Sequence, residues 1–233
     1  MEPVAAAIEA LSTHAELAAF RDVVAGCTRC VLAQTRTQVV FGSGSSDADL
    51  MFVGEAPGFH EDKQGVPFVG AAGQLLGKLL GEIDLTREDV FVANVLKCRP
   101  PGNRDPQPDE IAACEGYLFK QVELIRPRVI CTLGNFATKL LSGQPHGITR
   151  VRGKAQPRRF ADVDVLLYPI YHPAAALYTP SMLDTLRADF SRLPELLSGG
   201  PAPAPQLHQP EPEPARELVA VAAEPEHAQL GLF

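Results

Sequence analysis

The chain has 233 residues, 45% of them hydrophobic, and a formal net charge of −7. That length supports one large domain with its own core, and no apolar run reaches the roughly 18 residues needed to cross a bilayer. The acidic balance argues against a protein that coats nucleic acid by bulk charge, and the early acids Glu2, Glu9, Glu16 and Asp22 argue against a secretory signal.

Ile8, Leu11, Leu17, Phe20 and Val24 recur at helical spacing, which predicts an N-terminal helix ending near Gly26. Cys27-Thr28-Arg29-Cys30 follows at once. The Gly/Ser stretch at 41–46 is read as a connector. It precedes a strand, so it lacks the strand-then-helix setting of a phosphate loop. From Leu50 onward the pattern alternates. Strands are predicted near 50–53, 90–95, 129–133 and 165–170, and helices near 73–82, 109–126, 135–141 and 181–197. Asp109, after Pro108, is read as the N-cap of its helix. Continuous apolar strands separated by helices imply a mainly parallel four-stranded sheet covered on both faces. The expected fold is therefore α/β, a three-layer α/β/α domain spanning 1–198.

Residues 199–228 are rich in Pro, Ala and Glu and cannot build a core, so they are read as a disordered linker. They carry five acids against one base, which accounts for more than half of the net charge. The last five residues, Gln229-Leu230-Gly231-Leu232-Phe233, are apolar again and are read as a short linear motif at 229–233.

Four features stand at strand ends or in turns, where an open α/β sheet binds its ligands. They are Gly54-Glu55-Ala56-Pro57-Gly58, then Pro67-Phe68-Val69-Gly70, then Asn94, then His172-Pro173. Four cysteines form a second set: Cys27 with Cys30, and the more distant Cys98 and Cys114. Such a thiolate set holds zinc or an iron–sulfur cluster, and spacing alone does not choose. A redox pair is the weaker reading, because Cys27 and Cys30 precede the first strand instead of opening a thioredoxin-like unit. Cys131 lies in an apolar strand and is read as a small buried hydrophobe. Lys97, Arg99 and Arg104 form one basic cluster, and 150–159 contains another with Arg152 and Lys154. Both are read as loops that contact phosphates.

Taken together, the segments at 27–30, 54–58, 65–70, 94–101 and 172–177 resemble the iron–sulfur (class 4, thermostable-type) uracil-DNA glycosylases. The resemblance covers about residues 27–197. It implies an enzyme that flips uracil out of DNA and hydrolyses its N-glycosidic bond to start base-excision repair. It also implies a [4Fe–4S] cluster on Cys27, Cys30, Cys98 and Cys114, and uracil-containing DNA as substrate. The enzyme is expected to be a monomer in the cytoplasm, near the nucleoid, with no membrane contact.

Within that resemblance Asn94 reads the base: its carboxamide accepts from uracil N3–H and donates to O4, whereas cytosine presents the reverse pattern. Phe68 stacks on the base, and its polar, Gly-rich setting predicts an exposed ring. The backbone around Glu55 and Ala56, in a turn fixed by Pro57, binds O2. Glu61 matches a position near uracil C5. His172 donates to O2 as charge builds on the leaving base. The best-known uracil glycosylases carry an Asp where this chain has Ala56. Glu55 is then the candidate catalytic carboxylate beside His172. Leu177 is read as the wedge that fills the vacated stack. Segment 99–106 contains no histidine of the kind through which one subgroup attaches covalently to DNA, so ordinary turnover is expected.

The competing readings are a related iron–sulfur glycosylase for another deaminated base, such as hypoxanthine, and a non-enzymatic iron–sulfur DNA-binding module. Gln229, Leu230, Leu232 and Phe233 resemble the peptide by which bacterial repair proteins dock on the sliding clamp.

Overall fold

The computed structural model describes residues 2–199, with side chains from residue 13 onward. The linker beyond Gly199 and the motif at 229–233 lie outside the described residues. Helix α1 (Glu2–Ala25) leads into the cysteine pair and a single turn at Val31–Gln34. The sheet then begins with β1 (Ser43–Gly44) and β2 (Leu50–Gly54), followed by α2 (Phe59–Gln64) and α3 (Ala71–Gly81). Next come β3 (Phe91–Asn94), α4 (Pro108–Ile125), β4 (Val129–Leu133) and α5 (Asn135–Ser142). The chain closes with α6 (Ile148–Val151), β5 (Gln156–Phe160), β6 (Val163–Ile170), α7 (Pro173–Ala176), α8 (Pro180–Phe190) and α9 (Leu193–Gly199).

The sheet has six strands in the order β1-β3-β2-β4-β6-β5, not four. The inner four are the expected ones and run parallel, while β1 and β5 pair antiparallel at the two edges. Neither edge announces itself in sequence. β1 is a Ser-Gly dipeptide, and a Cβ on Gly44 would lie 1.8 Å from the Val90 carbonyl oxygen, so glycine is required for the strand to come that close. β5 carries Pro157, Arg158 and Arg159, which blunt an exposed edge against further pairing. The stretch expected to be a basic loop is thus a short helix followed by an edge strand.

Alternate residues of the inner strands point to opposite faces. Met51 and Val53 pack with Leu17 and Val24 of α1, Leu118 and Val122 of α4, and Leu141 of α5. Leu50 and Phe52 pack with Leu76, Leu79 and Leu80 of α3, Phe190 of α8 and Leu193 of α9. This is the expected three-layer α/β/α arrangement. Each large side chain buried this way contributes about 1.5–3 kcal/mol relative to exposure.

Two helix boundaries differ from expectation. Gln107, not Asp109, caps α4, because the Glu110 carboxylate reaches back 2.9 Å to the Gln107 N–H while Pro108 and Asp109 occupy the first turn. The helix expected over 181–197 breaks after Phe190: Pro194 has no N–H to continue the ladder, so α9 starts afresh.

Because β2, β3, β4 and β6 are parallel, their carboxyl ends share one edge of the sheet. Connections leave β2 toward β3 on one side, while β4 lies on the other, which opens a crevice there. The turns after β2, β3 and β6 all reach this edge.

Candidate active site

A cleft of about 390 Å³ opens at that edge. Glu55, Ala56, Pro57, Gly58 and Glu61 line it from the turn after β2 and from α2; Asn94 lines it from β3; His172 and Ala174 line it from the end of β6 and from α7. Phe68 lines it as well.

The glycine at the end of β2 brings Asn94 and Phe68 together. A Cβ on Gly54 would lie 2.3 Å from Asn94 Oδ1 and 2.9 Å from the Phe68 ring. Only a bare Cα lets both side chains close over the strand end. Asn94 is 2% exposed, and among the described residues its carboxamide hydrogen-bonds to no protein group. Asn94 lines the cleft, so its carboxamide is free to meet a ligand there. Phe68 is only 7% exposed, so the expected exposed ring is instead a cleft wall backed by the core. Its centroid lies 5.5 Å from the His172 ring, with 27° between the planes.

His172 is the N-cap of α7, and its Nδ1 accepts the backbone N–H of Ala174 at 3.1 Å. Nδ1 therefore carries no proton in the neutral ring, and Nε2 carries it. This proton position is assigned from the hydrogen-bond pattern. Although the residue keeps some exposed surface, burial pulls its pKa down to about 4, so the ring is neutral near pH 7. Burial raises the pKa of Glu55, and the nearby Asp105 charge adds to the shift. Glu61 lines the cleft, but its carboxylate also accepts the Gly58 N–H and caps α2.

Cys27, Cys30, Cys98 and Cys114 line one second cavity, walled by Val24, Leu32, Leu96 and Tyr117. None of the five cysteines is in a disulfide. Burial pushes the Cys98 thiol up to about 11 and raises that of Cys114. Thiolates here need a cationic group to share their charge. Donors already face the sulfurs: Lys97 N–H to Cys114 Sγ at 3.3 Å, and Arg36 Nη1 to Cys98 Sγ and the Arg29 N–H to Cys27 Sγ at 3.5 Å each. Among the described residues no three His, Cys, Asp or Glu groups are close enough to hold a single ion. Four thiols that line one cavity are a donor set of the type that thiophilic metal centres use, zinc or iron–sulfur. Cys131 is fully buried in β4, as expected.

Residues 41–194 match the family model of the uracil DNA glycosylase superfamily. The chain belongs to that superfamily. It is 48% identical over 181 residues to a type-4 uracil-DNA glycosylase of Sulfurisphaera tokodaii, covering 76% of this chain and 82% of the relative. It is 46% identical to a type-4 enzyme of Archaeoglobus fulgidus (74% of this chain, 89% of the relative). It is 47% identical to one of Thermotoga maritima (65% and 78%).

For a member of the superfamily, the basic residues are unevenly free to meet DNA. Lys97 belongs to neither basic loop: it is 1% exposed, and its Nζ donates to the Asn94 carbonyl oxygen at 2.8 Å and to Gln121 Oε1 at 2.6 Å. Burial lowers its pKa to about 7. It ties the strand end that carries Asn94 to α4. Arg104 lines the cleft but grips the buried Glu110 with both Nη1 and Nη2, at 2.9 and 2.5 Å. Arg152 pairs with Asp189 at 2.6 Å and lies over the Tyr171 ring. Arg99 holds Asn103 Oδ1 at 2.6 Å and lies over Phe59. Lys154 is exposed. Leu177, 38% exposed, follows α7 on the surface.

Sequence reading missed Asn103, Pro100 and Ala72 in the cleft wall and Arg87 behind Phe68. Asn103 is a non-glycine residue at φ 54, beside Gly102 at φ 64. The Pro-Pro-Gly-Asn run that allows this was the available signal.

Proposed function

We propose that this protein is a uracil-DNA glycosylase of the iron–sulfur type that initiates base-excision repair, acting on a uracil rotated out of DNA into the cleft. The reading is carried by one pairing in the cleft lining: Asn94, whose carboxamide hydrogen-bonds to none of the described residues, and a neutral His172 whose Nδ1 accepts the Ala174 N–H, which leaves the ring proton on Nε2. The sequence similarity to type-4 enzymes supports it.

The chemistry follows from those groups. The bond between uracil N1 and the sugar C1′ breaks, and its electron pair leaves with the base. A water oxygen bonds to C1′ and gives up a proton, and the departing uracil anion takes up a proton from water at N1, leaving free uracil and an abasic sugar. Asn94 accepts from N3–H and donates to O4, so cytosine would leave buried groups unpaired. Phe68 bounds the base plane. His172 donates from Nε2 to O2, where negative charge develops, and a preorganised neutral donor needs no proton transfer to do so. Glu55, in the cleft with a raised pKa, would orient the water and take its proton. Glu61 combines helix capping with a place in the wall near C5. Leu177 fills the vacated stack, and Arg99, Arg104, Arg152 and Lys154 contact phosphates. The arginines do so while sharing their guanidinium groups with the protein partners described above.

Cys27, Cys30, Cys98 and Cys114 would hold a [4Fe–4S] cluster. Bound there, it would serve as a cross-link between the end of α1, the segment after Asn94, and α4. The hydrolysis moves no electrons, so the chain's own groups suffice for the reaction.

Incubation with an oligonucleotide carrying a single uracil, followed by alkali, tests the function. Strand scission at uracil, and none at cytosine or thymine, is expected. Scission only at hypoxanthine would favour the alternative glycosylase, and tight binding without scission the non-enzymatic module.

The same proposal includes docking of Gln229, Leu230, Leu232 and Phe233 on a bacterial sliding clamp. Tethering would raise the effective concentration of the enzyme near the clamp. Removal of 229–233 should abolish clamp binding and leave excision on short oligonucleotides unchanged; equal clamp affinity with and without those residues would end that part of the proposal.

A further inference from the structure

Phe68 has a positive φ of 55°, a left-handed conformation that is costly for a bulky residue. Such a backbone persists only where its surroundings over-determine it, and here they do so from three directions. Gly73 in α3 abuts the Phe68 carbonyl so closely that a Cβ would lie 1.6 Å from its oxygen. Gly54 lies under the ring, where a Cβ would lie 2.9 Å from it. On the third side stands Arg87. Its Nη2 donates to the Pro67 carbonyl oxygen at 2.9 Å, and Nη1 lies 3.5 Å from the Phe68 carbonyl oxygen. Nη2 also reaches Ser43 Oγ at 3.4 Å in the edge strand β1.

Arg87 is itself fixed. It sits in the turn before β3, which the Asp89 carboxylate closes by accepting from the Thr86 N–H at 2.7 Å and the Thr86 hydroxyl at 2.6 Å. The guanidinium is partly buried, and burial pulls its pKa below the ordinary value. Among the described residues no carboxylate lies within ion-pair distance of it, in contrast to Arg104 and Arg152. Nη1 and Nη2 meet the two carbonyls that flank the strained residue, and Nη2 shares its donors with Ser43.

We propose that Arg87 is a positioning residue for excision: it clamps the Pro67 and Phe68 carbonyls so that the Phe68 ring faces the base pocket beside His172. The inference rests on the uracil-excision reading above. Arg87 touches neither base nor sugar and acts through Phe68. A plain structural staple would lower stability but would have no reason to couple to the ring of Phe68.

A double-mutant cycle on the full chain separates the two roles. Arg87→Met is expected to slow single-turnover excision of uracil about tenfold, with half-saturating DNA concentration changed less than about twofold, as for a misplaced rather than a missing contact. In a Phe68→Leu background the same change should cost less than about twofold, because the group through which Arg87 acts is already gone. Thermal melting of all four proteins checks that each is folded. If Arg87→Met does not fold, Arg87→Lys takes its place, with a smaller loss of about threefold that likewise vanishes with Phe68→Leu. Equal fold losses in both Phe68 backgrounds, or an Arg87→Met enzyme at the wild-type rate, would overturn the inference. A wild-type protein that releases no uracil would instead overturn the functional reading, and this inference with it.

Discussion

The backbone N–H of Ala174 donates to Nδ1 of His172 at 3.1 Å, and that bond decides what the ring offers the cleft. A helix cap on Nδ1 leaves the proton on Nε2. The first turn of α7 thus sets a side chain's tautomer, and with it the group that meets the leaving base. His172→Ala should therefore slow single-turnover excision by about 10²–10³-fold, the range for losing one preorganised donor to a developing anion. Binding of uracil-containing DNA should persist, since the donor matters most as charge appears. A mutant at the wild-type rate would remove His172 from the mechanism.

The same ring makes stability depend on pH. Its pKa is lowered from 6.5 to about 4 by burial. Between those values the unfolded chain binds a proton that the folded chain refuses. The contribution is therefore whole above pH 6.5 and is lost as pH falls toward 4. Denaturant midpoints at pH 7.5 and pH 4.5 should fall further for the wild type than for His172→Gln. An equal drop in both proteins would show that the ring titrates freely in the fold.

Gly54→Ala tests the convergence of Asn94 and Phe68. Gly54 does not have a positive φ, so alanine is tolerated by the backbone, and the added Cβ collides with the two pocket side chains. Excision should fall by about 100-fold or more, the cost of displacing positioned groups by an ångström. The circular dichroism spectrum should remain native. Full activity in this variant would mean that Asn94 and Phe68 work in positions other than those described.

Removal of single sulfurs tests the cysteine cavity. The purified protein should be brown, with iron lost in Cys98→Ala and retained in Cys131→Ala. Cys131 lies in β4, outside the cavity. Zinc in place of iron in anaerobically prepared protein would contradict the cluster.

The four inner strands were legible because a strand covered on both faces reads as a nearly continuous apolar run, as in Leu50-Met51-Phe52-Val53. Asn94 and His172 were legible because they end such runs. The edges were not: Ser43-Gly44 has no apolar signal, and the Pro157-Arg158-Arg159 run reads as a solvated loop. Lys97 was misread for a different reason. Its partners are the Asn94 carbonyl and Gln121 on α4, and nothing local to Lys97 shows that its ammonium is enclosed. The burial of Phe68 was misjudged in the same way, since Arg87 reaches it from a distant turn and Gly73 from the start of α3.

Release of the free base tests the central claim most directly. Mass spectrometry should detect one uracil freed per single-uracil strand by the wild-type protein, with release strongly slowed in Asn94→Ala and His172→Ala. Uracil that remains attached to DNA under single-turnover conditions, or is freed equally fast by Asn94→Ala, would contradict the assignment of this cleft.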